Sequence, residues 1–321
     1  LPPPASVETV RVSDDLAGGP RWRGQRGRLE VWYATATDGA TGNGLWVHHE
    51  RIAPADGDPY AHGWIALFPP GEAPIVERYG PEPYGDPDDG QWFTSASASV
   101  GPGRFCGTAA GESAWDIGWT AAEPPMWTLP KRMWARERLP SAHVVLAPKA
   151  AMSGTVEVAG RAVSLTGVGA ISHIYGHGNA QRWGWLHADL DEDTSLEIVS
   201  AVARRPGMRA LPPLAFVQLR RGGEDWPNDP LLTAPLFRTK LSLPTWRVRG
   251  IVGRKRLTVT VHQPADRCVK LDYTDPNGDG AVCTNTERAD VEVRLDRWSG
   301  RWITDAEWSV EGAAHSELGT R

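Results

Sequence analysis

The stretch GVGAISHIYGHGNAQRWGWLHADL, residues 167–190, decides how the rest of the chain is read. Glycines, three histidines and two tryptophans crowd it, and hardly a residue in it favours helix. Its second half, 181–190, alternates: on a strand Trp183 and Trp185 share one face, and Arg182 and Gly184 the other. The same pattern continues in both directions. The 35 Gly and 27 Pro interrupt almost every segment before a helical period is established. Short alternating or β-branched runs remain at 27–37, 44–52, 62–68, 91–100, 104–111, 115–120, 143–148 and 154–167. Others follow at 195–205, 214–221, 240–250, 257–264, 268–275, 289–298 and 301–312. Such short runs with turn residues between them predict an all-β chain of antiparallel barrels or sandwiches. Only PKRMWARERLP, 130–140, has a helical look. The proline-rich pieces 1–4, 69–87 and 206–213 read as loops, and 69–90 as a candidate lid.

A chain of 321 residues is long enough for two cores, and the boundary is placed after residue 184, giving domains 1–184 and 185–321. The net charge of −5 and pI near 6.0 argue against nucleic acid and against a general attraction to anionic membranes. Nothing in the sequence is apolar over a membrane-spanning length, and no intact signal peptide is visible. Because Leu1 stands first, a trimmed leader or initiator remains open. Cys106, Cys268 and Cys283 show no CxxC spacing, so a reducing cytoplasm is expected. Cys268 and Cys283 flank a hairpin-like turn and are the pair left open as a disulfide. The 16 Trp against 5 Phe suit half-wet walls, or simply the filled ends of a barrel.

Two metal readings can be tested on the letters. His173, His177 and His187 are enough imidazoles for zinc, but an H-x-x-x-H pair converges on a helix, and Gly176 and Gly178 oppose one. DPNGDG, 275–280, opens like a calcium loop, yet Thr286 stands where the closing carboxylate belongs, with Glu287 one later. A hairpin turn accounts for the same residues. No metal and no cofactor is expected.

GVGAISHIYG, 167–176, resembles the signature G-x-G-Y-x-[D/E]-H-x-W-G of a superfamily of two-domain lipocalin-like proteins. That group includes carotenoid hydratases, tocopherol-cyclase relatives and lipocalin-like Diels-Alderases. Gly167, Gly169, His173 and Gly176 fall on its fixed positions, and Tyr175 stands where the family has Trp. The lead-in 153–167, the hairpin 27–50, the W-D strand 115–120 and RWGWLHADL, 182–190, are similar as well, so the likeness spans most of the chain. It implies two lipocalin-like antiparallel β-barrel or sandwich domains packed together, with a hydrophobic ligand at their junction. Ser172 occupies the family's acidic position and Ala170 its tyrosine. Protonating an alkene needs a carboxylic acid held in a dry pocket, which Ser172 is not; this argues against a hydratase.

The remaining expectation is a cofactor-independent cyclase or isomerase, Diels-Alderase-like, acting on a hydrophobic polyketide or terpenoid by shape and polarisation. His173, Tyr175 and Gln181 are its candidate catalytic residues. Trp46, His48, Trp115, Trp119, Asn179, Arg182, Trp183 and Trp185 are its candidate substrate-binding residues. His48 is favoured over His49 as the inward member of its pair, and His173 reads first as an anchor to a backbone carbonyl across the domain junction. Asp116 is expected half-buried with Arg182 as partner, and the tail bearing Glu311, His315 and Glu317 is expected to be solvated. A non-catalytic hydrophobic-ligand binding protein and a carotenoid-hydratase-like lyase stay open as alternatives. The oligomeric state is not read from the sequence.

Overall fold

The computed structural model describes residues 15–87, 90–136, 141–204, 207, 209 and 211–321, the side chains of residues 15, 16, 132, 135 and 136 excepted. The loop expected at 1–4, and parts of the candidate lid 69–90, of the helical-looking 130–140 and of the loop at 206–213, lie outside the described residues. Strand dominates, in two large antiparallel sheets. The first runs from Arg28–Asp38 to Arg161–Gly176, and the last of these pairs with both Ser141–Val158 and Arg28–Asp38, which closes the sheet into a barrel. The long hairpin 141–176 turns at Ala159 and Gly160, whose φ values of 49° and 77° are those of a two-residue primed turn.

The second sheet begins with Arg182–Asp189 and ends with Trp302–Thr320, which pairs with both Arg182–Asp189 and Gly280–Trp298. The stretch 167–190 therefore carries the chain from one sheet into the other, over a short connection between Gly176 and Arg182. Lys131–Arg136 is helical, as its residues suggested.

Three expectations are corrected, and the open question of a Cys268–Cys283 bridge is answered. Ile75–Gly85 is a barrel strand paired with Tyr60–Phe68 and Phe93–Ser95, not a loop, because Pro81 and Pro83 sit where the ladder shifts register. Asp116 is exposed and pairs with Arg104 across the strand pair, at 2.7 Å, leaving Arg182 elsewhere. His315 is buried and Glu317 half-buried in a central strand rather than in a solvated tail. All three cysteines are free thiols, with Cys268 donating to Pro264 O and Cys283 facing Glu317.

The second barrel is filled by an aliphatic core including Leu186, Ile198, Val248, Val259 and Val293, with Trp246. The first barrel is mixed: alongside Trp32, Phe93, Phe105 and Trp115 it encloses Glu30, His49, Arg51 and His173. Where the barrels meet, every residue of Gly44–Ala53 is buried. One face of that strand looks into its own barrel and the other into the junction, so alternation of polar and apolar residues vanishes there. Val31, Tyr33, Trp46, Ile52, Trp64 and Phe68 from the first barrel meet Trp183, Trp185, Leu271, Tyr273 and Cys283 from the second.

Candidate active site at the junction

Strand alternation aims Trp183, Trp185, His187 and Asp189 away from the second barrel's core and toward the first barrel. Register then places Glu197 opposite His187, His315 opposite His187, and Glu317 opposite Trp185. The result is a buried acid–imidazole network. Glu197 accepts from Trp185 Nε1 at 2.6 Å and from His187 Nδ1 at 3.0 Å. The first barrel adds His143, whose Nδ1 faces Glu197 Oε1 at 3.8 Å and whose Nε2 bonds Tyr33 OH at 3.0 Å. His315 Nδ1 lies 2.5 Å from Glu287 Oε2, and the rings of His315 and His187 stack with centroids 6.1 Å apart.

Two histidine–glutamate pairs thus sit together, and their surroundings push them to opposite protonation states. Burial alone would lower His187, but its bond to Glu197 and the charges of Asp189 and Glu197 hold it above the ordinary imidazole value. Burial, then the neighbouring His187 charge, pushes His315 down to about 3. Burial also drives Glu287 well above the usual carboxylate range, against the bond from Asn285. The two pairs are thus pushed in opposite directions, an arrangement that separates an acid from a base. The contact between His315 Nδ1 and Glu287 Oε2 is donated from one side or the other according to the His315 tautomer. His187 Nε2 and His143 Nδ1 are buried without a close hydrogen-bond partner among the described residues.

Glu317 is a third acid here, raised by burial to about 7 although Trp183 Nε1 donates to it at 2.6 Å and Cys283 Sγ at 3.4 Å. A carboxyl group raised from 4.5 to about 7 stays protonated in the fold while the unfolded chain ionises, so its cost begins near pH 4.5 and is complete above pH 7. That shift corresponds to about 3 kcal/mol. Glu317→Gln loses an acceptor worth about 1 kcal/mol. The variant is therefore expected to be about 2 kcal/mol more stable than the parent at pH 8 and no more stable at pH 4.5, read from denaturant melts at both values.

Four of the candidate residues come together at this junction. Trp46 packs edge-on against Trp64 at 5.1 Å, His48 stacks on Trp64 at 3.8 Å, and Trp183 and Trp185 carry the bonds described above. The others are elsewhere. His173 lies inside the first barrel, stacked on Trp32 at 4.6 Å, with Nδ1 bonded to Ala17 O at 2.6 Å and Nε2 to Glu30 at 2.9 Å. Its carbonyl partner belongs to the amino-terminal segment, not to the other domain. Tyr175 is in the same barrel, under the Arg21 guanidinium. Trp115 packs against His49, and Trp119 against Trp92. Asn179 bonds Asp275 through its backbone and side chain, Gln181 makes backbone bonds to Val202 and Arg321, and Arg182 is exposed.

His173, His177 and His187 do not converge: His177 bonds Arg28 and His187 faces Glu197. Among the described residues no group of three or more His, Cys, Asp and Glu is placed to hold a metal ion. Asp275 is bonded by Arg204 and Arg321, so the 275–280 turn is a structural ion cluster. The junction rings pack on one another.

Two barrels joined face to face over such a junction define a two-domain lipocalin-like protein. Solved structures share the architecture at low identity: CghA solved with Sch210972 (TM-score 0.59, 13% identity, 97% of this chain and 96% of that one). So do an AttH-like protein of Nitrosomonas europaea (0.54, 15%, 100% and 99%) and kievitone hydratase of Nectria haematococca (0.53, 10%, 97% and 93%). An uncharacterized protein of Mycobacterium tuberculosis is 46% identical over 319 residues, 99% of this chain and 94% of the relative. The tocopherol cyclase-like family model matches residues 112–320, more than half the chain, and the chain belongs to that family.

Proposed function

We propose that the chain is a cofactor-independent cyclase or isomerase for a hydrophobic polyketide or terpenoid, working by proton transfer at the inter-barrel junction. The observation that carries this is the buried Glu287–His315 pair stacked beside the His187–Glu197 pair. The acid missing at Ser172 is supplied from strands more than a hundred residues later. The Glu287 carboxyl protonates an alkene or carbonyl, the indole faces of Trp183 and Trp185 shelter the developing cation, and a proton lost from the substrate regenerates the acid. The family model and the lipocalin-like relatives support a cyclase- or hydratase-like reading.

Incubation with a panel of prenylated phenols and polyenes, read by mass spectrometry, tests it. A cyclase or isomerase leaves the substrate mass unchanged, a hydratase adds one water, and a binding protein returns the ligand intact. Because the junction rings fill their own space, a ligand must displace them. Trp183→Ala is expected to weaken binding and turnover together, by about tenfold each, with loss of the ligand-induced change in tryptophan fluorescence. Unchanged values for both would remove Trp183 from the binding wall.

A further inference from the structure

The net charge of −5 hides a strong segregation. Strands Phe237–Lys240 and Thr245–Val252 form one margin of the second sheet, and the first of them is its edge. Register sets Arg238 opposite Arg249 and Lys240 opposite Arg247, all four exposed. None makes an ion pair or hydrogen bond with a described residue. Like charges directly opposite one another on antiparallel strands are destabilising. Elsewhere on the same sheet the opposite choice is made: Arg256 faces Asp296 and Arg294 faces Glu307, each as an ion pair. Charging an edge strand against aggregation needs no such repulsion, since either sign or a mixture serves.

The same face ends in exposed apolar side chains. Ile251 continues the Arg247–Arg249 row and is 46% exposed. Opposite it, Arg256 lies over Trp302 at 4.8 Å, and Trp302 meets Trp298, itself exposed, edge-on at 5.3 Å. Cations beside exposed tryptophan and isoleucine match the headgroup region of a bilayer, where charge meets lipid phosphate and indole sits at the interface.

We infer that this face docks the protein on anionic phospholipid surfaces, with the cationic quartet against the headgroups and Trp298 and Ile251 entering the interface. Nucleic acid would use the cations but has no need of the apolar tip. The docking is independent of the chemistry at the junction.

Flotation of the full chain with vesicles tests it, comparing phosphatidylcholine alone with phosphatidylcholine containing phosphatidylglycerol. Binding is expected only to the anionic vesicles, and to be released by high salt. Arg247→Gln with Arg249→Gln is expected to lower partitioning about tenfold or more, at roughly fivefold per basic residue. Trp298→Ala lowers it while leaving the salt dependence. Thermal melting checks folding of each variant, and Arg238→Gln with Lys240→Gln repeats the test at the other end of the quartet. Equal partitioning into phosphatidylcholine alone would overturn the proposal. So would folded double variants that bind as well as the parent, or salt-sensitive retention on a single-stranded oligonucleotide without vesicle binding.

Discussion

Glu287→Gln is expected to lower turnover by about 10²–10⁴-fold, the range a positioned general acid contributes, while changing ligand affinity by no more than a few-fold. Glutamine keeps the shape of the side chain and can still accept from His315 Nδ1, so the bond at 2.5 Å and the packing against Gly44 survive. What it cannot do is deliver a proton. Burial holds this carboxyl above the usual range, so the parent is expected to lose activity on the alkaline side, when Glu287 ionises. The variant should lose that alkaline limb with the activity. Single-turnover rates against pH, with binding followed separately, check both points. A variant with parental turnover removes Glu287 from the chemistry and leaves the His187–Glu197 pair as the remaining acid–base element.

The fold was readable from residues that obey local rules. Short runs bounded by Gly and Pro predicted strands, whereas the boundary drawn after residue 184 falls inside Arg182–Asp189, a strand of the second sheet, and the crossing lies between Gly176 and Arg182. The alternation of Trp183 and Trp185 was legible, and both reach the junction. The acid set was not legible, because its members are brought together by pairing across the sheet and not by spacing. Glu287 lies within the bulge between Thr286 and Ala289, so counting by twos along its strand does not predict its face. His315 and Glu317 looked like a tail because nothing in their neighbours shows that Trp302–Thr320 lies between two other strands. A usable signal was present: His315, Glu317, Trp183, Trp185 and His187 are chemically distinctive residues at alternate positions on two strands. Tyr33 and His143 become partners only through the register that Arg28–Asp38 and Ser141–Val158 each keep with Arg161–Gly176, and no local pattern carries that information.

His49→Phe is expected to invert its effect on stability near pH 6. His49 is fully buried in the first barrel among Phe93, Phe105 and Trp115, with Nδ1 bonded to Tyr79 OH at 2.7 Å. Burial, then the nearby His48 charge, lowers its pKa from 6.5 to about 3. Above pH 6.5 it is neutral in both states and costs nothing. As pH falls below 6.5 the unfolded chain takes up a proton that the fold refuses, and stability is lost at about 1.4 kcal/mol per pH unit until pH 3. His315, also lowered to about 3, adds a second loss of the same sign. Glu317 and Glu287, both raised, gain stability over the same descent until pH 4.5 and offset part of these losses, to which the lowered His48 and His143 also contribute. Phenylalanine fits the ring box but forfeits the Tyr79 bond, about 1 kcal/mol at pH 7. By pH 4.5 the parent has lost about 2.7 kcal/mol through His49 alone, so the variant should be about 2 kcal/mol the more stable. Urea melts from pH 4 to 8 measure the crossing directly. A constant difference between the two proteins across that range would show that His49 takes up its proton in the fold as readily as in the open chain.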